Sequence, residues 1–173
     1  ALWPGKFSSK TNGISQRRWL RAANWRLSAL ITEAVGDAWI TDLERLADLE
    51  PFAADPSFRD RWRGVRRENK TVLANWLYRT SGVVVEPDSL FDAQIKRIHE
   101  YKRQVLFCLY AASHYLRLKR DPRTGAVPRT CIFSGKAAPG YFMAKLIIKF
   151  INNIAETLNS DPATRGLLRV VFL

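Results

Sequence analysis

The chain has 173 residues, 47% of them hydrophobic, and a formal net charge of +12 at pH 7. This length suffices for one domain with a substantial core, and no apolar stretch approaches the roughly 20 residues that a membrane-spanning helix needs. The first ten residues lack the long apolar centre of a signal peptide, so we expect a cytoplasmic protein without a membrane partner. Cys108 and Cys131 fall in apolar patterns typical of buried residues, which argues against a disulfide framework or a metal site.

The first half of the chain is predicted to be mainly helical. Its apolar residues recur at helical spacing in three segments, which are residues 26–35, 43–49 and 57–79. Gly36 is a natural C-cap for the first helix, and Pro51 is expected to end the second. A β-branched run at residues 83–85 follows the third helix.

The second half is predicted to alternate strands and helices. Strand patterns at residues 92–96, 130–133 and 168–173 are separated by helical patterns at 100–119 and 141–159, with a turn at 121–125. This order demands right-handed crossovers and a parallel sheet covered by helices. We therefore predict an α/β fold with a partial doubly wound, Rossmann-like sheet. It forms one domain, 1–173, with a helical lead-in over 1–80 and the sheet over 81–173.

The apolar spacing also predicts which faces are buried. The strands at 130–133 and 168–173 are predominantly apolar on successive residues, the second being broken only by Arg169, and both are expected at the centre of the sheet. The helix after residue 100 repeats apolar residues at Val105, Leu109, Ala112 and Leu116. The last helix is expected to bury Met143, Ile147, Ile151, Ile154 and Leu158.

The positive charge raises nucleic acid as an alternative partner, because arginines and tryptophans are interleaved around residues 17–26 and 59–76. The spacing of the apolar residues argues against a stacking platform. Residues at helical intervals form one predicted buried stripe, which comprises Phe58, Trp62, Val65, Val72 and Trp76. The arginines are then a solvated face, and a basic nucleic-acid-binding domain remains the less favoured alternative.

Residues 94–104, Q-I-K-R-I-H-E-Y-K-R-Q, are the most informative segment. Five cationic positions, counting His99, crowd the point where a strand pattern gives way to a helix. Ligands of open α/β sheets bind at the carboxyl ends of strands. Cations are misplaced at a helix amino terminus, which already carries about half a positive charge, so an anion should compensate them. Arginine with lysines suits a phosphate dianion, whereas Arg103 is explained well enough by a solvated helix face.

Two other features favour structural roles. His99 has a titratable ring but no partner identifiable from sequence, so a hydrogen-bonded structural histidine is the preferred interpretation. The loop Gly135-Lys136-Ala137-Ala138-Pro139-Gly140 lacks the Lys-Ser/Thr pair of a nucleotide-binding loop, and indicates a tight turn that requires glycine.

Several blocks of sequence resemble the α-glucan phosphorylases, the glycogen, starch and maltodextrin phosphorylase family. They occur in the family's order and spacing: K-T-N-G-I at 10–14, R-R-W-L at 17–20, S-L-F-D at 89–92, K-R-I-H-E-Y-K-R-Q at 96–104, G-K-A-A-P-G-Y at 135–141 and M-A-K-L-I-I-K at 143–149. The resemblance implies a segment of the carboxyl-terminal lobe of a glycosyltransferase-B-like enzyme. That enzyme would be cytoplasmic and allosteric, and a homodimer when full-length.

The resemblance also implies a reaction and its residues. The reaction is reversible phosphorolysis of an α-1,4-glucan to glucose 1-phosphate, with pyridoxal phosphate acting through its phosphate group. Arg97 and Lys102 would bind substrate phosphate, while Lys96 and Trp19 would contact the cofactor. Asn12 and Tyr101 would bind sugar hydroxyls, and Tyr141 would line an aromatic cleft at the entrance of the active site.

The chain departs from the family pattern in several places. Ser15 and Gln16 replace the usual Thr-Pro, Trp25 stands where proline is expected, and Phe142 replaces histidine. The lysine that forms the Schiff base with the cofactor is expected beyond this chain, so the 173 residues alone should be inactive. A non-catalytic phosphate- or sugar-binding module derived from the enzyme therefore stays open as an alternative.

The missing Schiff-base lysine leads to a first prediction. Incubation of this 173-residue chain with pyridoxal phosphate, borohydride reduction and peptide mapping should find no stoichiometric adduct at a single site. A unique adduct at one internal lysine would overturn the assignment.

Overall fold

The computed structural model describes residues 6–8, 13–121 and 125–173. The chain divides into two compact units, Ala1–Asn69 and Lys70–Leu173. Asn12 lies outside the described residues, as does most of the turn predicted at residues 121–125.

The first unit is helical. A π-helical segment, Arg17–Ala22, precedes helix α1, Trp25–Val35, which ends at Gly36 as predicted, with a φ angle of 78°. Two 3₁₀ segments follow, Ala38–Ile40 and Leu43–Ala54. The helix predicted to end at Pro51 is thus wrong in type and length, because successive three-residue turns accommodate a proline that lacks an N–H.

Helix α2, Pro56–Ser81, covers the segment predicted at residues 57–79. It starts after Asp55, whose side chain accepts a hydrogen bond from the Ser57 amide at 2.9 Å. Its buried face changes along its length. Phe58 is buried in the first unit, whereas Ala74 and Leu77 are buried in the second. The continuous stripe predicted through Val72 and Trp76 is wrong, since both side chains are exposed and each half of α2 packs within its own unit.

The second unit is built on a three-stranded parallel sheet. Its strands are β1, Leu90–Ile95, β2, Arg129–Ser134, and β3, Leu168–Phe172, in the order β1-β2-β3. Leu90 pairs with Arg129, and Arg129 pairs with Leu168. The parallel arrangement is therefore confirmed. Among the three described strands β2 is central and β3 lies at one edge, with Val170 and Val171 buried, so the central position predicted for residues 168–173 stays a prediction.

Helices cover both faces of this sheet. On one face, α3, Gln104–Arg120, and α4, Phe142–Ser160, pack with β2 and β3 in one hydrophobic cluster. On the other face, the end of α2 packs against Val171 of β3 and Val85. Val85 is buried although residues 83–85 form no strand, because the run packs through its side chains without joining the sheet.

The predicted buried face of α3 is wrong. Its buried residues are Gln104, Cys108, Ala111, His114 and Leu118, whereas Val105, Leu109 and Leu116 are exposed. The helix is apolar on two sides, so periodicity alone could not identify the side that meets β2. In α4, Ile147, Ile151 and Leu158 are buried and Ile154 packs against them, but Met143 is exposed because Ala144 faces the sheet instead.

Gly135 lies where β2 leaves the sheet, in close contact with the end of β1. A Cβ atom on Gly135 would lie 1.9 Å from the carbonyl oxygen of Lys96 and 2.9 Å from its carbonyl carbon. The turn therefore requires glycine at this position, as predicted for the loop. Gly140, at the other end of the same loop, has no heavy atom within 4 Å of such a Cβ and is not required on steric grounds.

Gly135→Ala should therefore lower the free energy of unfolding by about 2 kcal/mol, because the two strand ends must separate to admit the methyl group. Urea unfolding of the protein and of the variant measures this change. Gly64→Ala is the matched control, since Gly64 lies in α2 with open space around it. Gly64→Ala should be neutral or stabilising by up to about 1 kcal/mol. A Gly135→Ala variant as stable as the control would contradict the close contact.

Candidate functional site

The basic turn, residues 96–103, connects β1 to α3. The amide of Lys96 donates to the carbonyl of Ser134 at 3.0 Å, and the amide of Ile98 donates to the carbonyl of Lys136 at 3.2 Å. These bonds extend the pairing with β2 beyond the last residue of β1. The turn therefore begins at the carboxyl end of a parallel strand, where sequence analysis placed it.

The predicted start of the next helix is wrong. Residues Glu100–Lys102 form a single 3₁₀ turn, and α3 begins only at Gln104. Between them Arg103 adopts a left-handed backbone conformation, with φ 65°, which breaks a continuous α-helix. Lys102 thus precedes the helix, and Arg103 does not lie on a solvated helix face as predicted.

Four cations of the turn form no ion pair with an acidic side chain among the described residues: Lys96, Arg97, Lys102 and Arg103. Glu100 is the single acidic residue in the turn, and one of its carboxylate oxygens accepts a hydrogen bond from the Tyr141 hydroxyl at 2.6 Å. The turn consequently carries four side-chain cations and one carboxylate, and its net charge is positive.

An open groove of about 750 Å³ runs between β1, the basic turn and α3. It is lined by Asp92, Ala93, Gln94, Lys96, Lys102, Arg103, Leu106, Phe107 and Tyr110. The acidic member, Asp92, is already paired with Arg129 of β2, whose pKa is raised by this hydrogen bond. The groove therefore brings Lys96 and Lys102 together with Arg103 in a positively charged environment.

A second group of predicted residues meets around His99. Its ring centre lies 4.4 Å from that of Tyr101 and 4.9 Å from that of Tyr141. The Tyr141 hydroxyl also lies 3.5 Å from Nδ1 of His99. Tyr101 is exposed, whereas His99 and Tyr141 are half-buried. The contacts of His99 in this aromatic cluster agree with the structural role predicted for it. The cluster also places aromatic rings beside the cations of the basic turn.

Two of the predicted residues do not line the groove. Trp19 lies in the π-helical segment of the first unit, where its ring is exposed. Arg97 belongs to the basic turn but does not line the groove.

Gln104, which was not predicted from the sequence, hydrogen-bonds to the backbone carbonyl of Arg97 from the buried side of the turn. Gln104 is 1% exposed, and its amide bonds to the backbone of the turn. Its spacing from Cys108, Ala111 and Leu118 of α3 could have revealed it, because four, seven and fourteen residues place all of them on one helical face.

The two thiols have no place in this chemistry. Burial raises the pKa of Cys108 to about 11 and that of Cys131 to about 12, so both remain protonated at neutral pH. Within the described residues, no three His, Cys, Asp or Glu side chains are placed to hold a metal ion. No helix in that part of the chain has the length and apolar character needed to cross a membrane.

A family model of the carbohydrate phosphorylases matches residues 1–173. The chain belongs to this family. It is 53% identical to glycogen phosphorylase of Synechocystis sp., 49% identical to that of Bacillus subtilis and 47% identical to the human liver form, each over 99% of its length. The chain spans about a fifth of the length of these phosphorylases. The resemblance inferred from the sequence motifs is confirmed.

The contact between Tyr141 and Glu100 predicts a pH dependence. The pKa of Tyr141 is raised, mainly by the hydrogen bond that its hydroxyl donates to Glu100. Stability from this bond is complete below the ordinary tyrosine pKa of about 10 and is lost as pH rises through the raised value. Ultraviolet titration of the protein minus that of Tyr141→Phe should show one phenol ionising above pH 10. Glu100→Gln should lower that pKa, and an unshifted Tyr141 in the unaltered protein would contradict the contact.

Proposed function

We propose that the protein containing this chain is an α-1,4-glucan phosphorylase, which cleaves glycogen, starch or maltodextrin with inorganic phosphate to release glucose 1-phosphate. The observation that carries the proposal is the basic turn, whose four cations have no acidic partner among the described residues. Inorganic phosphate and glucose 1-phosphate are anions of the charge that such a turn would bind. The glycogen phosphorylases similar to this chain support the same reaction.

Arg97 and Lys102 are the proposed ligands of the substrate phosphate. A guanidinium binds two phosphate oxygens at once, whereas the lysine ammonium supplies a movable point charge. Phosphorolysis of a glycosidic bond develops positive charge on the sugar, and cations that hold phosphate beside it fix the attacking group. Catalysis by these side chains is then electrostatic and positional.

The sugar is assigned to the aromatic side of the site. Tyr101 is proposed to bind a sugar hydroxyl, which its exposure next to His99 permits. Tyr141 is proposed to line the entrance, where its half-buried ring offers a flat surface. Asn12 keeps its role as a sugar ligand through the family motif at residues 10–14 alone.

Pyridoxal phosphate is the proposed cofactor, and the exposed ammonium of Lys96 fits its phosphate group. Lys96 sits at the end of β1 without an ion pair in the described part of the chain and lines the groove beside Lys102. A dianionic group there would be compensated by neighbouring cations. When bound, the cofactor would act in the reaction through its phosphate group, which stays on the cofactor. Trp19, exposed in the first unit, keeps its proposed cofactor contact through the motif at residues 17–20.

The larger context of the site is also a proposal. We assign the three-stranded sheet to the carboxyl-terminal lobe of a glycosyltransferase-B fold, with residues 1–80 as its helical lead-in and residues 81–173 as half of its Rossmann-like sheet. The intact enzyme would be a cytoplasmic, allosteric homodimer without a nucleic-acid or membrane partner. An intact-mass measurement on the natural protein tests whether this chain is a segment of a longer enzyme. A mass of only 19.8 kDa would favour a non-catalytic binding module.

In the intact enzyme, Arg97→Ala should lower turnover about a hundredfold and weaken phosphate binding. Loss of a preorganised charge at the reacting centre costs about 3 kcal/mol in the transition state. Lys102→Ala should be less damaging because a flexible ammonium lacks the bidentate geometry. Steady-state kinetics with varied inorganic phosphate measure both effects.

Arg120→Ala is the appropriate control. Arg120 is an exposed arginine at the far end of α3, about 25 Å from its first residue. Arg103 cannot serve, since it lines the same groove as Lys96 and Lys102. Equal losses in Arg97→Ala and Arg120→Ala would contradict the assignment of Arg97.

A further inference from the structure

Gln104 bonds the basic turn from the buried side. Its Nε2 donates to the carbonyl of Arg97 at 3.1 Å, and its Oε1 accepts from the amide of His99 at 3.4 Å. Gln104 is 1% exposed and belongs to the small set of buried polar residues in the described part of the chain. One side chain thus satisfies both a carbonyl and an amide on either side of Ile98.

Gln94 makes the corresponding contact at the other end of the turn. Its Nε2 donates to the carbonyl of Lys102 at 2.8 Å, whereas its Oε1 is buried with no hydrogen-bond partner among the described residues. Gln94 belongs to β1 and Gln104 opens α3. The backbone of the turn is therefore held by two side-chain amides from its flanking elements.

The turn needs such partners because regular structure ends before it. The amide of Ile98 makes the last sheet-like bond, to Lys136, and the 3₁₀ turn contributes the bond from Lys102 to His99. The carbonyl of Arg97 lies between these elements and takes its donor from Gln104. A backbone carbonyl without a donor costs free energy when buried, so this bond favours one conformation of the turn.

We propose that Gln104 is the positioning residue of the phosphate site, acting through Arg97, and that Gln94 acts likewise through Lys102. This inference rests on the proposed function. Fixing the carbonyl of Arg97 fixes the direction in which its Cα–Cβ bond leaves the backbone. The Arg97 side chain then samples fewer conformations before its guanidinium binds phosphate.

A neutral amide suits this task better than a carboxylate. Glutamine donates to a carbonyl and accepts from an amide at once, whereas an ionised glutamate can only accept. A carboxylate at position 104 would also bring a negative charge beside Arg97 and compete with phosphate. The two glutamines therefore hold the turn and leave its positive charge available for the ligand.

The test uses Gln104→Met in the intact enzyme, because methionine keeps the length of the side chain and removes both hydrogen bonds. The KM for inorganic phosphate should rise about tenfold, whereas the KM for glucan should stay within twofold, when rates are corrected for the folded fraction. Gln94→Met should raise the phosphate KM by a smaller factor. Because Gln94 is only half-buried, this second variant gives an answer even if Gln104→Met fails to fold.

Asn159→Leu is the matched control. Asn159 makes the same pair of bonds to one backbone residue, donating to the Val170 carbonyl at 2.7 Å and accepting from the Val170 amide at 2.9 Å. Its target lies in β3 and not in the basic turn. The control should lower the unfolding midpoint as the glutamine variants do, with an unchanged KM for phosphate.

A double-mutant cycle with Arg97→Ala separates positioning from general damage. If Gln104 acts through Arg97, Gln104→Met should raise the phosphate KM less than twofold once Arg97 is already alanine. Full additivity, or a phosphate KM unchanged in both glutamine variants, overturns the inference while a damaging Arg97→Ala keeps the proposed function. An Arg97→Ala variant with unchanged turnover and phosphate KM would contradict the assignment of Arg97 to phosphate. Gln104 would then have no phosphate ligand to position.

Discussion

The contact between the ends of β1 and β2 determines where the candidate site lies. Backbone hydrogen bonds from Lys96 to Ser134 and from Ile98 to Lys136 carry the pairing past both strands. Gly135 lies between these bonds, so close to the Lys96 carbonyl that no side chain fits. The basic turn leaves the sheet at this point, so the contact between the strand ends determines where its cations lie.

The strands of the sheet could be predicted from sequence because the burial of each strand is visible in the pattern of its own residues. A strand buried on both faces has a nearly continuous apolar sequence, and residues 131–133 of β2 show this pattern. The cap of α1 at Gly36 was equally visible, since a left-handed residue there favours glycine. The orientation of α3 was not visible. Both Val105 and Cys108 lie on apolar faces, and only the position of the sheet decides between them.

The site was predictable in its charge but not in its geometry. Lys96, Arg97 and Lys102 stand within seven residues, so their proximity follows from the chain itself. The partners that shape the turn come from farther away, as Tyr141 does in reaching Glu100 from beyond β2. No local pattern reports such a contact. Similarity to a family motif indicates long-range contacts that helical periodicity cannot, because members of a family share the three-dimensional arrangement of the motif.

Arg103 links the stability of the turn to its charge. Its left-handed conformation costs an arginine roughly 1 kcal/mol, a penalty that glycine avoids. A selection for heat resistance would therefore favour glycine at position 103 and remove one of the groove's three cations, since Lys96, Lys102 and Arg103 are its basic lining residues. Greater stability at this position therefore comes with less positive charge in the groove, so stabilising substitutions that leave its charge unchanged lie elsewhere in the chain.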